Sequence, residues 1–191
     1  MTTAVLVIDL QQEFARRTAA GWPRSNPGAE AAVAQVLASA RGAGVPVIHV
    51  HHDDPNPGSG FRLAIPGGAP LPCAAPLPGE PVVIKHRSSA FAGTGLAETL
   101  RGRGIDRLIV MGAAVDWCVS SSVRAARDHG FSVVLVEDAV FGFGIPLQTG
   151  AEVDAGTILR ATLATLGAGF AQRVTAEALM TGPLAEHPPR A

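Results

Sequence analysis

Cysteine is scarce: only Cys73 and Cys118 occur in 191 residues. Neither shares a C-x-x-C spacing with the other, so no disulfide framework, zinc ribbon or dithiol redox motif can be written, and both are expected as free thiols in a reducing cytosol. A charge excess is also missing. The 15 Lys and Arg residues stand against 16 Asp and Glu, interspersed along the chain, for a net charge of −1. Such a balance leaves no electrostatic footprint for nucleic acid or an anionic membrane and points to a small-molecule partner. Long apolar runs are absent as well. The N-terminal "MTTAVLVIDLQQEF" offers only "AVLVI" (4–8), with no basic leader before it and an acid directly after. Neither a secretory signal nor a membrane span is therefore expected, and a cytoplasmic protein is. There is no internal repeat, no low-complexity segment and no G-x-x-x-x-G-K-[ST] phosphate loop. The stretch "GTGLAETLRG" begins like a dinucleotide fingerprint, but Glu98 stands where the third glycine belongs and no strand leads directly into it. No cofactor is expected.

What is present is regular alternation. With 47% hydrophobic residues the chain can bury one sizeable core, read as a single domain over 1–191. Apolar, β-branched runs (4–8, 45–50, 82–84, 107–112, 132–136 and a weak one at 171–174) alternate with Ala-rich helical patterns (29–44, 96–104, 118–130, 151–167). That is the βαβ signature, and strands apolar throughout suit a parallel sheet covered on both faces. A six-stranded, doubly wound α/β fold of Rossmann-like type is expected. Helix stops are expected at Gly42 or Gly44, Gly102 or Gly104, Gly130 and Gly167. Two segments break the alternation: the Pro- and Gly-rich 51–81, read as an irregular lid or substrate-facing loop, and the apolar, Gly-rich 139–150.

In open α/β sheets ligands sit beyond the carboxyl ends of the strands. Asp9 follows the first run, Lys85 the third, and Cys118 lies shortly past the fourth. A carboxylate, an ammonium and a thiol on one rim supply proton carrier, charge stabiliser and nucleophile for covalent acyl transfer. Each also has a plainer reading: Asp9 as a turn cap, Lys85 as a solvated strand end, Cys118 as core packing. For Cys118, placement at the first turn of "CVSSSVRAARD" favours a helix N-terminus that stabilises thiolate. Phe14, Phe91 and Trp117 are the aromatic candidates for the pocket wall, with a core role as the alternative. The run Ser120 to Ser122 reads as helix surface, and Asp138 as a turn residue. His49 and His51 alternate on one strand face, and His51, His52, Asp53 and Asp54 could contribute metal ligands. The favoured reading keeps His49 as a hydrogen-bonded strand residue and assigns no metal.

The segments "AVLVIDLQQEF", "VVIKHRSSAFAGTGL" and "GIDRLIVMGAAVDWCVSSSVRAARDHGFSVVLVEDA" resemble, in order, three signatures of the isochorismatase-like cysteine hydrolase superfamily, which includes nicotinamidases and N-carbamoylsarcosine amidases. The resemblance runs from Ala4 to about residue 140. It implies a six-stranded parallel α/β fold, an Asp9–Lys85–Cys118 triad, and an oxyanion hole from the backbone N–H groups of Ala114 and Cys118. It further implies a cis peptide between Ala113 and Ala114 and a homo-oligomer, dimer or tetramer. Val115 departs from the family's usual Thr, removing a hydroxyl. The region "HVHHDDPNPGSG" departs from the nicotinamidase zinc pattern. The implied activity is cleavage of a C–N bond in a small amide, carbamoyl or lactam compound through a thioester. The alternatives are cysteine-independent vinyl-ether hydrolysis of the isochorismatase type and a non-catalytic small-molecule-binding protein.

Overall fold

In the strand β1 (Thr3–Ile8) every residue is buried, because the strand is central and both of its faces are covered. Val5 and Val7 point into one core, while Ala4, Leu6 and Ile8 point into the other, which is the period-two alternation of a strand between two apolar layers. The computed structural model describes residues 1–182. Its main sheet is formed by β1, β2 (Val47–His52), β3 (Val82–Lys85), β4 (Arg107–Ala113), β5 (Ser132–Phe141) and a last strand, Gln172–Val174, called β8 below. The order is β3-β2-β1-β4-β5-β8, all parallel, as the apolar runs predict. A small antiparallel pair, β6 (Ile145–Pro146) with β7 (Glu152–Val153), stands apart from it.

The helices α1 (Gln12–Ala19), α2 (Ala29–Gly42), α3 (Leu96–Gly102), α4 (Ser120–Asp128), α5 (Ala155–Gly169) and α6 (Ala176–Thr181) divide between the two faces. Val33, Val36 and Leu37 of α2 and Leu179 of α6 pack on the Val5–Val7 side. Leu100 of α3, Val123 of α4 and Leu166 of α5 pack on the other. No helix among the described residues is long and apolar enough to cross a membrane. Strand order reverses between β1 and β4, so the crossovers leaving these two neighbours go to opposite faces and a crevice opens at their carboxyl ends.

At that crevice β1 and β4 approach very closely. Gly112, paired with Ile8, has φ +138°, and a Cβ built there would lie 2.1 Å from the Ile8 carbonyl oxygen. Gly112→Ala should therefore lower stability by about 3 kcal/mol, read as a shifted urea midpoint with an unchanged slope. An alanine variant as stable as the parent would show that the two strands can separate there.

Several expectations are corrected. Of the expected helix stops, Gly44, Gly104 and Gly130 are left-handed, but Gly167 lies inside α5, where it makes room for Arg173, 2.6 Å from an added Cβ. Strand β5 continues past 136 to Phe141, so the segment 139–150 begins as sheet. The segment 51–81 opens with the end of β2 and contains two 3₁₀ turns, Pro66–Gly68 and Pro72–Ala74. Ser122 is buried rather than on the helix surface, because its Oγ accepts the Ala90 N–H at 2.8 Å. The polar α1, with Phe14 its one buried residue, and the short α6 add to the expected helices. Asp138 accepts the Ala176 N–H at 2.8 Å, anchoring the start of α6.

Candidate active site

The three rim residues reach one another because of how their strands end. Asp9, immediately after β1, has φ +51°. This left-handed conformation is costly for a non-glycine residue, and it is held here by the Asp9 N–H donating to Val50 and the Gln11 N–H donating back to the Asp9 carbonyl. Lys85 ends β3 two strands away and is fully buried. Its Nζ lies 2.6 Å from Asp9 Oδ2 and 3.3 Å from Cys118 Sγ. Nζ also donates to the Arg87 carbonyl at 3.0 Å. Cys118 stands in a single π-helical turn, Val115–Val119, between β4 and α4.

That placement changes the chemistry of the thiol from what a helix N-terminus alone predicts. Burial, and then the neighbouring Asp9 carboxylate, push Cys118 up to about 12, outweighing the Lys85 ammonium. Burial likewise pushes Asp9 up to about 6 against the opposing pull of Lys85. At neutral pH these two shifts leave Cys118 as the thiol beside an ionised Asp9. Cys73, half-buried elsewhere, is pushed up to about 11 by burial.

Asp9, Cys118 and Ala114 line a cavity of about 650 Å³. The Ala113–Ala114 peptide is cis. The Ala114 carbonyl accepts the Trp117 and Val119 N–H groups, while its own N–H has no hydrogen bond among the described residues. Phe14 and Trp117 also line the cavity. Phe91 does not: "SSAFAGTGL" folds back toward α3, and the ring packs against Phe131 and His129 in the opposite core. Val115 is wholly buried. Its neighbour Asp116 lines the cavity, and burial raises the pKa of that carboxyl.

The histidines separate into two roles. His49 Nε2 lies 2.8 Å from Glu80, whose other carboxylate oxygen is bound to Arg41. His51 is pushed down to about 4 by burial. Among the described residues no group of three or more His, Cys, Asp or Glu side chains could hold a metal ion. His52 instead faces the cavity, its Nδ1 3.4 Å from Lys85 Nζ, and burial followed by Lys85 lowers its pKa. Gln11 fixes this strand end by taking the His52 N–H and donating to the His52 and Gly68 carbonyls, which holds the 53–68 segment over the site. The sequence signal for His52 is the His-rich strand end, which by residue type alone points to metal ligation.

The fold and this cluster define a doubly wound α/β protein with a carboxylate, a lysine and a thiol gathered at the switch point. Residues 3–151 match the isochorismatase domain family. The chain is 35% identical to an isochorismatase-family protein of known structure from Chromobacterium violaceum, covering 97% of this chain and 94% of that one with a TM-score of 0.90. It is 34% identical to maleamate amidohydrolase of Pseudomonas putida over 72% of this chain and 71% of the relative. It is also 31% identical to ureidoacrylate amidohydrolase RutB of Methylorubrum extorquens over 78% and 74%. The chain belongs to the isochorismatase family, a hydrolase family with amidohydrolase members.

Proposed function

We propose that this protein is a cysteine-dependent amidohydrolase that cleaves the C–N bond of a small amide, carbamoyl or lactam compound through a thioester on Cys118. The observation that carries the reading is the buried contact of Lys85 with both Asp9 and Cys118, at 2.6 and 3.3 Å, opening into one cavity with Ala114. Asp9 takes the thiol proton as sulfur attacks the carbonyl carbon, and the oxyanion forms at the Ala114 and Cys118 N–H groups. Asp9 then passes the proton to the leaving nitrogen as the C–N bond breaks. In the second half, Asp9 takes a proton from water as the hydroxide adds to the thioester. The C–S bond breaks and the proton returns to sulfur, releasing the acid. Lys85 keeps Asp9 ionised between these steps. The amidohydrolase relatives support this reaction class.

The test is a screen of small primary amides and ureido compounds for ammonia release, followed by acid quenching and mass spectrometry of the Cys118 peptide. An acyl adduct on that peptide during turnover is expected. Turnover with no adduct, under conditions where deacylation is slow enough to trap one, would overturn the thioester.

The pH dependence follows from the two shifted groups. Asp9 must be ionised to accept the proton, so kcat/KM should rise with pH along a limb centred near 6. Because the thiol stays protonated until about 12, the profile should remain flat from pH 7.5 to 9. A rise centred near 8.5, the ordinary cysteine value, would instead show that a pre-formed thiolate is the reactant.

A further inference from the structure

The cavity carries a second organised feature, away from the triad. Arg17 of α1 lines it together with Trp22 and Phe61, and its guanidinium carbon sits 5.1 and 5.0 Å from the centroids of those two rings. Its Nε donates to Glu13 Oε1 at 3.1 Å, which fixes the plane of the group. The two terminal nitrogens have no hydrogen-bond partner among the described residues. Glu13 does not neutralise this corner, since its second oxygen is bound to Arg16 at 2.8 Å. One carboxylate is thus shared by two guanidinium groups, and a positive charge remains on the cavity side.

From this arrangement we propose that the corner is an anion subsite, and that the substrate bears a carboxylate which Arg17 takes through its paired terminal N–H groups. The inference rests on the amidohydrolase reading, which places the scissile carbonyl at Cys118 and leaves the other end of the molecule for Arg17. A guanidinium held at Nε presents the fork that matches a carboxylate with two parallel hydrogen bonds. The flanking rings limit its motion, so little rotamer freedom is lost on binding. Arg87, the other arginine on the wall, is exposed and has no side-chain hydrogen bond among the described residues. It would have to be ordered at the moment of binding.

The test uses equilibrium binding, so that it does not depend on turnover. Calorimetric titrations of a Cys118→Ala protein compare maleamate with (Z)-2-butenamide, which has a methyl group in place of the carboxylate, and the longer glutaramate with valeramide. In at least one pair the anionic member should bind about tenfold tighter or better. Adding Arg17→Gln should abolish that preference while leaving the neutral amide unchanged, Arg17→Lys should restore part of it, and Arg87→Gln should keep it. No preference for the anion in either pair, or a preference that survives Arg17→Gln or disappears with Arg87→Gln, overturns the subsite. Because ammonia release is measured separately, Arg17-dependent binding without turnover of any amide would keep the subsite and reject the amidohydrolase. Turnover that is indifferent to Arg17 would do the reverse.

Discussion

Replacing Cys118 by alanine is expected to leave a folded protein whose amide turnover falls by about 10⁴-fold or more. The expectation rests on the sulfur being the only nucleophile placed against both Lys85 and Asp9 among the described residues. The variant removes a single small atom from a partly exposed site, so the urea midpoint should move by no more than about 1 kcal/mol equivalent. Cys118→Ser separates chemistry from packing, because the hydroxyl fills nearly the same space but is a far weaker nucleophile. If Cys118 were only filler, serine would retain activity. The alanine variant turning over at more than about one-hundredth of the parent rate would reject the covalent route. Retained activity would favour a mechanism in which Asp9 acts directly as an acid.

Lys85→Met should produce the largest combined loss, in both stability and activity. The Lys85 side chain is fully buried and that of Asp9 is 2% exposed, and removing one partner of such a pair typically costs about 3–5 kcal/mol because the other charge is stranded. Without the ammonium, the pull that lowers Asp9 is lost, so its pKa rises above 6 and the acid limb of the activity profile moves to higher pH. The stability effect has a definite sign. The unfolded chain releases the Asp9 proton near 3.8, the folded chain only near 6. Between those values the folded state binds more protons, and this group's contribution declines as pH rises. In Lys85→Met the window extends upward, so the deficit against the parent should shrink as the pH falls. Chemical denaturation at several pH values measures this. A deficit that stays constant with pH would mean the loss arises from packing and not from a stranded carboxylate.

The sheet was legible because each of β1 to β5 carries an apolar, β-branched stretch: the central β1 and β4 are apolar nearly throughout, and the edge strand β3 keeps its Val82–Ile84 run although Val82 and Ile84 are exposed. Even Gln172–Val174, short and largely exposed, lay where the weak final run placed it. Asp9, Lys85 and Cys118 could be picked out because strand ends share a rim whatever their separation along the chain. Phe91 could not be placed, since its direction depends on how 86–95 turns back toward α3. The proton state of Cys118 was also out of reach: the helix-terminus argument predicts a depressed thiol, whereas burial and Asp9, both consequences of tertiary packing, raise it. Arg17 left no trace in the sequence either. It looks like one charge on a polar helix, and its setting requires Phe61 and Trp22 to arrive from other segments.

One seam has a consequence for how such a scaffold diversifies. Asn26, at φ +46°, donates its side-chain amide to the Glu137 and Val140 carbonyls, while Ser25 Oγ bonds both the Gly142 N–H and carbonyl. The Gly144 N–H donates to Pro23. This stitching holds the Phe143–Pro146 wall of the cavity, yet none of Pro23, Ser25 and Asn26 lines the cavity itself. A change in the short 23–26 segment can therefore tilt the wall and reshape the cavity, while Asp9, Lys85 and Cys118 keep their spacing. The shape of the cavity and the geometry of the Asp9–Lys85–Cys118 cluster are mechanically separable here, and the adjustable part lies outside the residues that line the cavity.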